Sequence, residues 1–326
     1  MPKKEQFESA GWVTYRPQLK VVDCTVRDGG LMNSHRFTDD FVRRVYEACV
    51  AAGVDYMEFG YRASKKIFPP KDFGPWKFSG EEDIRRIVGE NKTGLKICVM
   101  ADAERTDYRE DILPKKESVV DCIRVACYAH QIPTAIDMVL DADEKGYETT
   151  VNLMAVSTVP VFELDKALEV IAQSPAAAVY VVDSYGSLYM EQIADLVSRF
   201  AAATKGKKEI GIHTHNNQQL AFANTIEAII KGATRLDATM MGLGRGAGNC
   251  PMELLLGFLK NPKYLERAVL QCVQDTILPL RKEMDWGYSI PYAITGVLNE
   301  HPRDAIKLRE SDRRDEYVAF YDEMNE

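Results

Sequence analysis

Residues 211–217 read Gly-Ile-His-Thr-His-Asn-Asn and hold two of the five histidines in the chain. Side chains alternate faces along an extended segment, so His213 and His215 point the same way, within reach of one ion. Two imidazoles and one carboxylate form a three-ligand set that leaves other coordination positions open for substrate or water. Asp28, in Thr-Val-Arg-Asp-Gly-Gly at 25–30, is the carboxylate of choice. On a regular strand Arg27 and Asp28 would face opposite ways. Gly29 and Gly30 would release the chain from strand geometry and let both side chains reach one place.

Such residues must be gathered by a scaffold. Short apolar, β-rich segments recur at 20–26, 56–60, 95–101, 122–127, 149–156, 178–184, 209–215 and 235–241. Amphipathic helices fall between them. Thr38 caps the first, whose stripe is Val42, Val45, Tyr46 and Cys49, and Phe222, Ile226, Ile229 and Ile230 form a stripe after the seventh segment. Gly53, Gly146 and Gly232 each stand where a helix gives way to a strand. Eight strand–helix repeats predict a parallel sheet, most economically a (β/α)8 TIM barrel over 19–260, with a doubly wound sheet as the competitor. An N-terminal arm (1–18) and a charged, helical tail (261–326) flank it, the tail packing on the barrel or on a second subunit. The longest insertion, 61–80, is basic, aromatic and proline-rich and belongs at the C-terminal mouth, where barrels build active sites.

The strand ends and the loops that follow bring polar groups to that mouth: Arg27, Asp28, Glu58, Asn152, Asp183, Tyr185, His213, His215 and Asn249. Several have an ordinary structural alternative. Arg27 could pair with Glu58 or Asp183, Tyr185 could be a packed aromatic, and Asn249 could cap the helix that starts near Pro251. Arg62 could bind a substrate carboxylate or phosphate, or be a solvated loop charge. The glycines of Gly-Leu-Gly-Arg-Gly-Ala-Gly at 242–248 lack dinucleotide-motif spacing and suit a turn or an anion-binding loop. His130 and His301 read as structural or solvent-exposed.

The stretches DCTVRDGG, MEFGYR, VDSYGSLY, GIHTHNNQQLAFAN and MGLGRGAGNCPMELLL, in this order, resemble the DRE-TIM metallolyases, which include 4-hydroxy-2-oxovalerate aldolases, hydroxymethylglutaryl-CoA lyases and isopropylmalate synthases. The resemblance implies Mn²⁺ or Mg²⁺, with Zn²⁺ or Co²⁺ as alternatives, held by Asp28, His213 and His215, with Asn249 nearby. It implies that Arg27 stabilises an enolate oxygen and that Glu58 supports the site. The activity expected is cleavage or formation of a C–C bond next to a 2-oxo acid, with an aldehyde as the second substrate. Aldolases of this type carry a histidine just after the RDG, whereas this chain has Leu31. The proton-transfer group is therefore open among His35, Tyr185, Glu58 and a metal-held hydroxide. No lysine ends a strand, so an imine route lacks a candidate.

The same residues also admit an acyl-CoA lyase or synthase, an Fe(II) oxygenase with its two-His-one-carboxylate triad, and a non-catalytic barrel. The net charge of −8 argues against a nucleic-acid surface. No segment has membrane-spanning length, and seven scattered cysteines suit free thiols in the cytoplasm. A homodimer, and a dehydrogenase partner that accepts the aldehyde, are what the resemblance implies about assembly.

Overall fold

The computed structural model describes residues 16–326, so the expected arm lies almost wholly outside the described residues. Eight parallel strands close into a barrel in chain order: β1 Lys20–Asp23, β2 Tyr56–Tyr61, β3 Lys96–Asp102, β4 Cys122–Cys127, β5 Glu148–Leu153, β6 Ala178–Asp183, β7 Glu209–Thr214 and β8 Arg235–Ala238. β1 closes the ring against β8, in register from Lys20 with Arg235 to Asp23 with Ala238.

Alternation along the strands makes two interiors. One set of residues, including Val21, Met57, Ile97, Val99, Val125, Val179, Ile212 and Leu236, faces the helices and forms the main apolar core. The other set faces the barrel axis and is unusually polar, with Glu58, Arg124, Asn152, Tyr180, His213 and Asp237 all buried. Gly211 is required here, because a Cβ would come 2.4 Å from the Tyr180 ring. That clearance lets Tyr180 lie under Arg124, whose guanidinium carbon is 4.6 Å from the ring centre.

The first helix, Asp39–Ala52, starts as its sequence predicts: the Phe41 N–H donates to Thr38 Oγ1 at 3.2 Å. Its expected stripe is buried, and Gly53 ends it at φ 71°, with the Lys263 carbonyl too close to admit a Cβ. The helix Ala221–Ile230 departs from expectation. Its buried face is Ala221, Asn224, Thr225, Ala228 and Ile229, whereas Ile230 is exposed. Polar bonds set this rotation: Asn224 Nδ2 donates to the Leu188 carbonyl at 2.7 Å, and the Thr225 and Thr214 hydroxyls pair at 3.1 Å.

Beyond Leu259 the tail folds into helices Glu266–Cys272, Ile290–Val297, Arg303–Arg309 and Tyr317–Asn325. The first packs on Asp39–Ala52. The later ones reach the mouth, where Trp286 Nε1 donates to the Met241 carbonyl at 3.1 Å and Asn299 Nδ2 to that of Ser157 at 3.2 Å. Among the described residues no helix is long and apolar enough to cross a membrane.

Candidate active site

Arg27 and Asp28 reach the mouth by a different route from the one their sequence suggests. β1 stops at Asp23, before the glycines, and Thr25–Gly29 forms a buried helical turn. The Asp23 carboxylate holds that turn by accepting from the Thr25 amide at 3.2 Å and the Thr25 hydroxyl at 2.6 Å. The same hydroxyl accepts from the Met240 amide at 2.9 Å, tying the turn to the loop after β8. Helical geometry thus delivers two consecutive side chains that a strand would have separated.

His213 ends the inward row of β7. His215 lies one residue past the strand and is kept in line by an antiparallel bridge to Asn249. The two rings stand 5.0 Å apart. His213 Nε2 is 3.3 Å and His215 Nε2 3.6 Å from Asp28 Oδ2, so all three ligand atoms converge.

Both imidazoles are oriented from behind. His213 Nδ1 is 2.9 Å from Asp237 Oδ2, and His215 Nδ1 donates to the Asp183 carbonyl at 3.0 Å. Each Nε2 is thereby presented as the free nitrogen, the arrangement by which metal-ligating histidines are usually fixed. Asp28 Oδ2, His213 Nε2 and both amide atoms of Asn249 are buried with no hydrogen-bond partner. Leaving such atoms unpaired costs about 1–3 kcal/mol each, which a bound cation would offset. A Cβ on Gly244 would sit 2.1 Å from Asn249 Nδ2 and 3.3 Å from the Asp28 carboxyl carbon, so this glycine clears the space those two groups share. Two nitrogens and a hard oxygen, with an amide beside them, fit a divalent ion. Cys24, His213 and Asp237 also cluster, but Asp237 Oδ2 is already engaged by His213 and by Arg124 at 2.5 Å.

A buried charge network supports this floor. Arg27 Nε donates to Glu58 Oε2 at 2.7 Å and its Nη1 lies 3.4 Å from Asp28 Oδ2. Arg124 Nη1 reaches the same Glu58 oxygen at 3.0 Å. Burial alone would raise the Asp28 carboxyl, but Arg27 and the two imidazoles outweigh it and hold it well below the usual carboxylate range. Burial would likewise strip the Arg27 proton, yet Glu58 and Asp28 keep the guanidinium charged. Burial drives His215 down to about 3, against the pull of Asp28, so its ring is neutral and able to act as a ligand.

A cavity opens above the floor, lined there by Arg27, His213 and His215 and at its rim by Tyr185, Arg245 and His301. Leu31, Tyr61, Met100 and Met154 contribute to its walls, and Asn152 also faces it. Leu31 therefore stands at the cavity where an imidazole was expected.

Several expected site residues do not line it. His35 is buried, edge-on to Tyr61 at 5.3 Å, and burial with Lys77 and Arg27 nearby lowers it to about 3. Arg62 is buried with its guanidinium 3.6 Å from Glu81, because its loop folds back on itself. The Asp183 carboxylate accepts from the Ser187 amide at 3.0 Å and the Leu188 amide at 3.4 Å, so only its main-chain carbonyl serves the site. Glu58 lies behind Arg27. Asn249 does not cap the following helix, which begins at Met252 after Pro251. Arg124, Asp237, Arg245 and His301 were missed. The first two sit mid-strand with the parity of Asn152 and His213, a signal available in the sequence; His301 comes from the tail and gave none.

The HMGL-like family model matches residues 18–276. An oxaloacetate decarboxylase of Mycobacterium tuberculosis is 33% identical over 268 residues, covering 80% of this chain and 76% of that protein. A 4-hydroxy-2-oxovalerate aldolase of Mycobacteroides abscessus is 30% identical over 262 residues, covering 77% and 68%. Among solved structures, the N-terminal domain of a proposed aldolase from Bacteroides vulgatus superposes with a TM-score of 0.75 at 26% identity, covering 92% of this chain and 100% of that one.

Proposed function

Because the chain belongs to the HMGL-like family, we propose that it is a divalent-metal-dependent carbon–carbon lyase acting next to a 2-oxo acid. The observation that carries this reading is the convergence of His213 Nε2 at 3.3 Å and His215 Nε2 at 3.6 Å on Asp28 Oδ2, all buried, beside a charged Arg27. Asp28, His213 and His215 would hold the ion, with Mn²⁺ or Mg²⁺ suiting the oxygen donor and Zn²⁺ or Co²⁺ the imidazoles. When bound, the ion supplies a Lewis acid for the 2-oxo group.

The residues of the chain do the rest. Arg27, pinned at Nε by Glu58 and with Nη1 beside Asp28, turns its other N–H groups to the oxygen on which negative charge develops as the C–C bond breaks. A donor fixed in a dry site before the reaction is effective because it need not reorganise. In the cleavage direction the 4-hydroxyl gives up its proton, the bond between C3 and C4 breaks, an aldehyde leaves, and the electron pair stays on the pyruvate fragment as its enolate. That enolate then takes a proton at C3. With Leu31 on the wall and His35 behind Tyr61, we assign the alcohol proton to Tyr185, the candidate from the sequence that lines the cavity. Seven unpaired, buried thiols support a reducing, cytoplasmic setting.

The test is deuterium incorporation into the methyl group of pyruvate in D₂O, read by mass. Mg²⁺- or Mn²⁺-loaded protein should exchange these protons, and His213→Ala should not. Absence of exchange from pyruvate, 2-oxobutyrate and 2-oxovalerate alike would overturn the reading.

A further inference from the structure

At the rim of the cavity Arg245 and His301 face each other in an arrangement that their own hydrogen bonds leave incomplete. Arg245 Nη2 donates to the Ser184 carbonyl at 2.9 Å. Its Nη1 lies 3.3 Å from His301 Nε2, and its Nε is buried without a partner. Among the described residues no carboxylate lies within 4 Å of this half-buried guanidinium, whereas Arg27 and Arg124 at the floor both have one.

His301 adds a second constraint. Its Nδ1 accepts from the Arg303 amide at 3.1 Å. A neutral imidazole has one donor and one acceptor nitrogen, so Nδ1 as acceptor makes Nε2 the N–H. That N–H then points at another donor, Arg245 Nη1. The opposite tautomer only moves the conflict to the Arg303 amide. Burial and the two arginines drive His301 down to about 4, against Asp304, so the ring is neutral, and charging it would only add a second donor. Two donors side by side with no acceptor between them are relieved by an anionic oxygen that accepts from both.

We infer that Arg245 and His301 form an anion subsite at the cavity rim, taking a carboxylate at the far end of the substrate. The acceptor is then an oxo acid and not an uncharged aldehyde. Building on the proposed 2-oxo acid chemistry, this gives the substrate a carboxylate at each end. Depth in the cavity separates the two ends: Arg27, His213 and His215 are buried, whereas Arg245, His301 and Tyr185 are half-buried. The apolar wall between them, with Leu31, Met100 and Met154, suits a carbon chain. The left-handed turns at Gly246 and Gly248 hold the Arg245 loop in place, which gives the glycine-rich stretch a role that needs no nucleotide.

The experiment is calorimetric titration of Mg²⁺-loaded protein with matched ligands: 2-oxoglutarate against 2-oxovalerate, and 2-oxoadipate against 2-oxohexanoate. Each pair differs only in the distal carboxylate, so no turnover is needed. The dicarboxylate should bind about 10–100-fold more tightly in at least one pair, the range for a hydrogen bond to a charged group. Arg245→Met should abolish the preference and His301→Phe, which keeps an aromatic ring edge-on to Tyr185, should reduce it. Equal affinities within both pairs, or a preference that survives Arg245→Met, overturn the subsite. So does equal weakening of both ligands in that variant, since Arg245 would then hold the 2-oxo end. The wild-type comparison decides even if a variant fails to fold. Loss of pyruvate exchange with the preference intact would strike the proposed activity and leave the subsite standing.

Discussion

At the N-terminal end of the barrel, Lys20 meets Glu209 at 2.7 Å, Arg235 joins Glu209 and Glu148 at 2.5 Å each, and Lys96 reaches Glu148 at 2.8 Å. The Tyr56 hydroxyl donates to the same Glu148 at 2.9 Å. Every carboxylate oxygen in this circuit has a donor. At the C-terminal end, Arg27, Asp28, Glu58, Arg124, His213 and Asp237 are equally charged and more deeply buried, yet Asp28 Oδ2, His213 Nε2, Glu58 Oε1 and the Asn249 amide are left unpartnered. Charge alone therefore does not mark a functional site in this barrel. What sets the floor apart is convergence: unpartnered atoms also occur singly elsewhere, as at Thr149 Oγ1 and Thr234 Oγ1, but among the described residues only at the floor do the buried carboxylate, imidazole and amide atoms gather in one place.

The largest effect that could break this contrast is at the floor. Asp28→Asn should lower pyruvate exchange by at least about 10³-fold, since a catalytic metal is worth several kcal/mol of transition-state stabilisation. It should also abolish the rise in Tm that added Mg²⁺ or Mn²⁺ gives the wild type. Arg27→Met should cost about 10²–10³ in rate while keeping the metal-dependent rise in Tm. If both variants lose that rise together, the separation of metal ligand from oxyanion donor fails.

Next in size is the link between floor and barrel interior. Arg124 ties Glu58 to Asp237, and Tyr180 carries its face. Arg124→Met takes a charged partner from two buried carboxylates, leaving Glu58 to Arg27 and Asp237 to His213, so urea unfolding should show a loss of about 3–5 kcal/mol, the usual cost of breaking a buried pair. A loss under about 1 kcal/mol would mean that the network is as dispensable as a surface pair.

His35 sharpens the criterion, since its Nδ1 is also buried and unpartnered but does not face the cavity. His35→Asn keeps a residue that accepts φ 62° and should cost about 1–2 kcal/mol of stability with unaltered pyruvate exchange. A large fall in exchange would return His35 to the reaction.

The barrel was legible because eight apolar segments and the caps at Thr38 and Gly53 are local signals, and local propensity agrees with the final fold. The histidine pair was legible because strand parity survives in β7. Arg27 and Asp28 were identified but given the wrong backbone, since the turn at Thr25–Gly29 depends on Asp23 and on Met240, far away in the chain. Arg62 and Asp183 misled for the opposite reason. Their residue types suit substrate binding, but partners supplied by Glu81 and the Ser187 amide consume them. His301 reads as structural or solvent-exposed because only tertiary packing of the tail brings it to the mouth, and Arg245 gives no signal because nothing in a glycine-rich stretch says which way its one long side chain turns.

The smallest effect is expected at the closed end, and pH isolates it. Burial tends to raise Glu148, but Arg235 and Lys96 dominate and hold its carboxyl down to about 2, below an ordinary value of 4.5. A carboxyl depressed in the folded state contributes stability that is fully present above its unfolded value and is lost as pH falls through its folded value. Glu148→Gln should therefore lie below the wild type in Tm at neutral pH. The gap should narrow as pH drops through the interval from 4.5 to about 2 and close at its lower end. Partial exposure limits the gap to about 1–2 kcal/mol, because solvent screens such pairs. Pyruvate exchange per folded molecule should be unaltered, which separates this end from the floor. A gap that stays constant through the acid range would show that Glu148 supports the barrel by packing rather than by charge, and the contrast between the two ends would then rest on the floor alone.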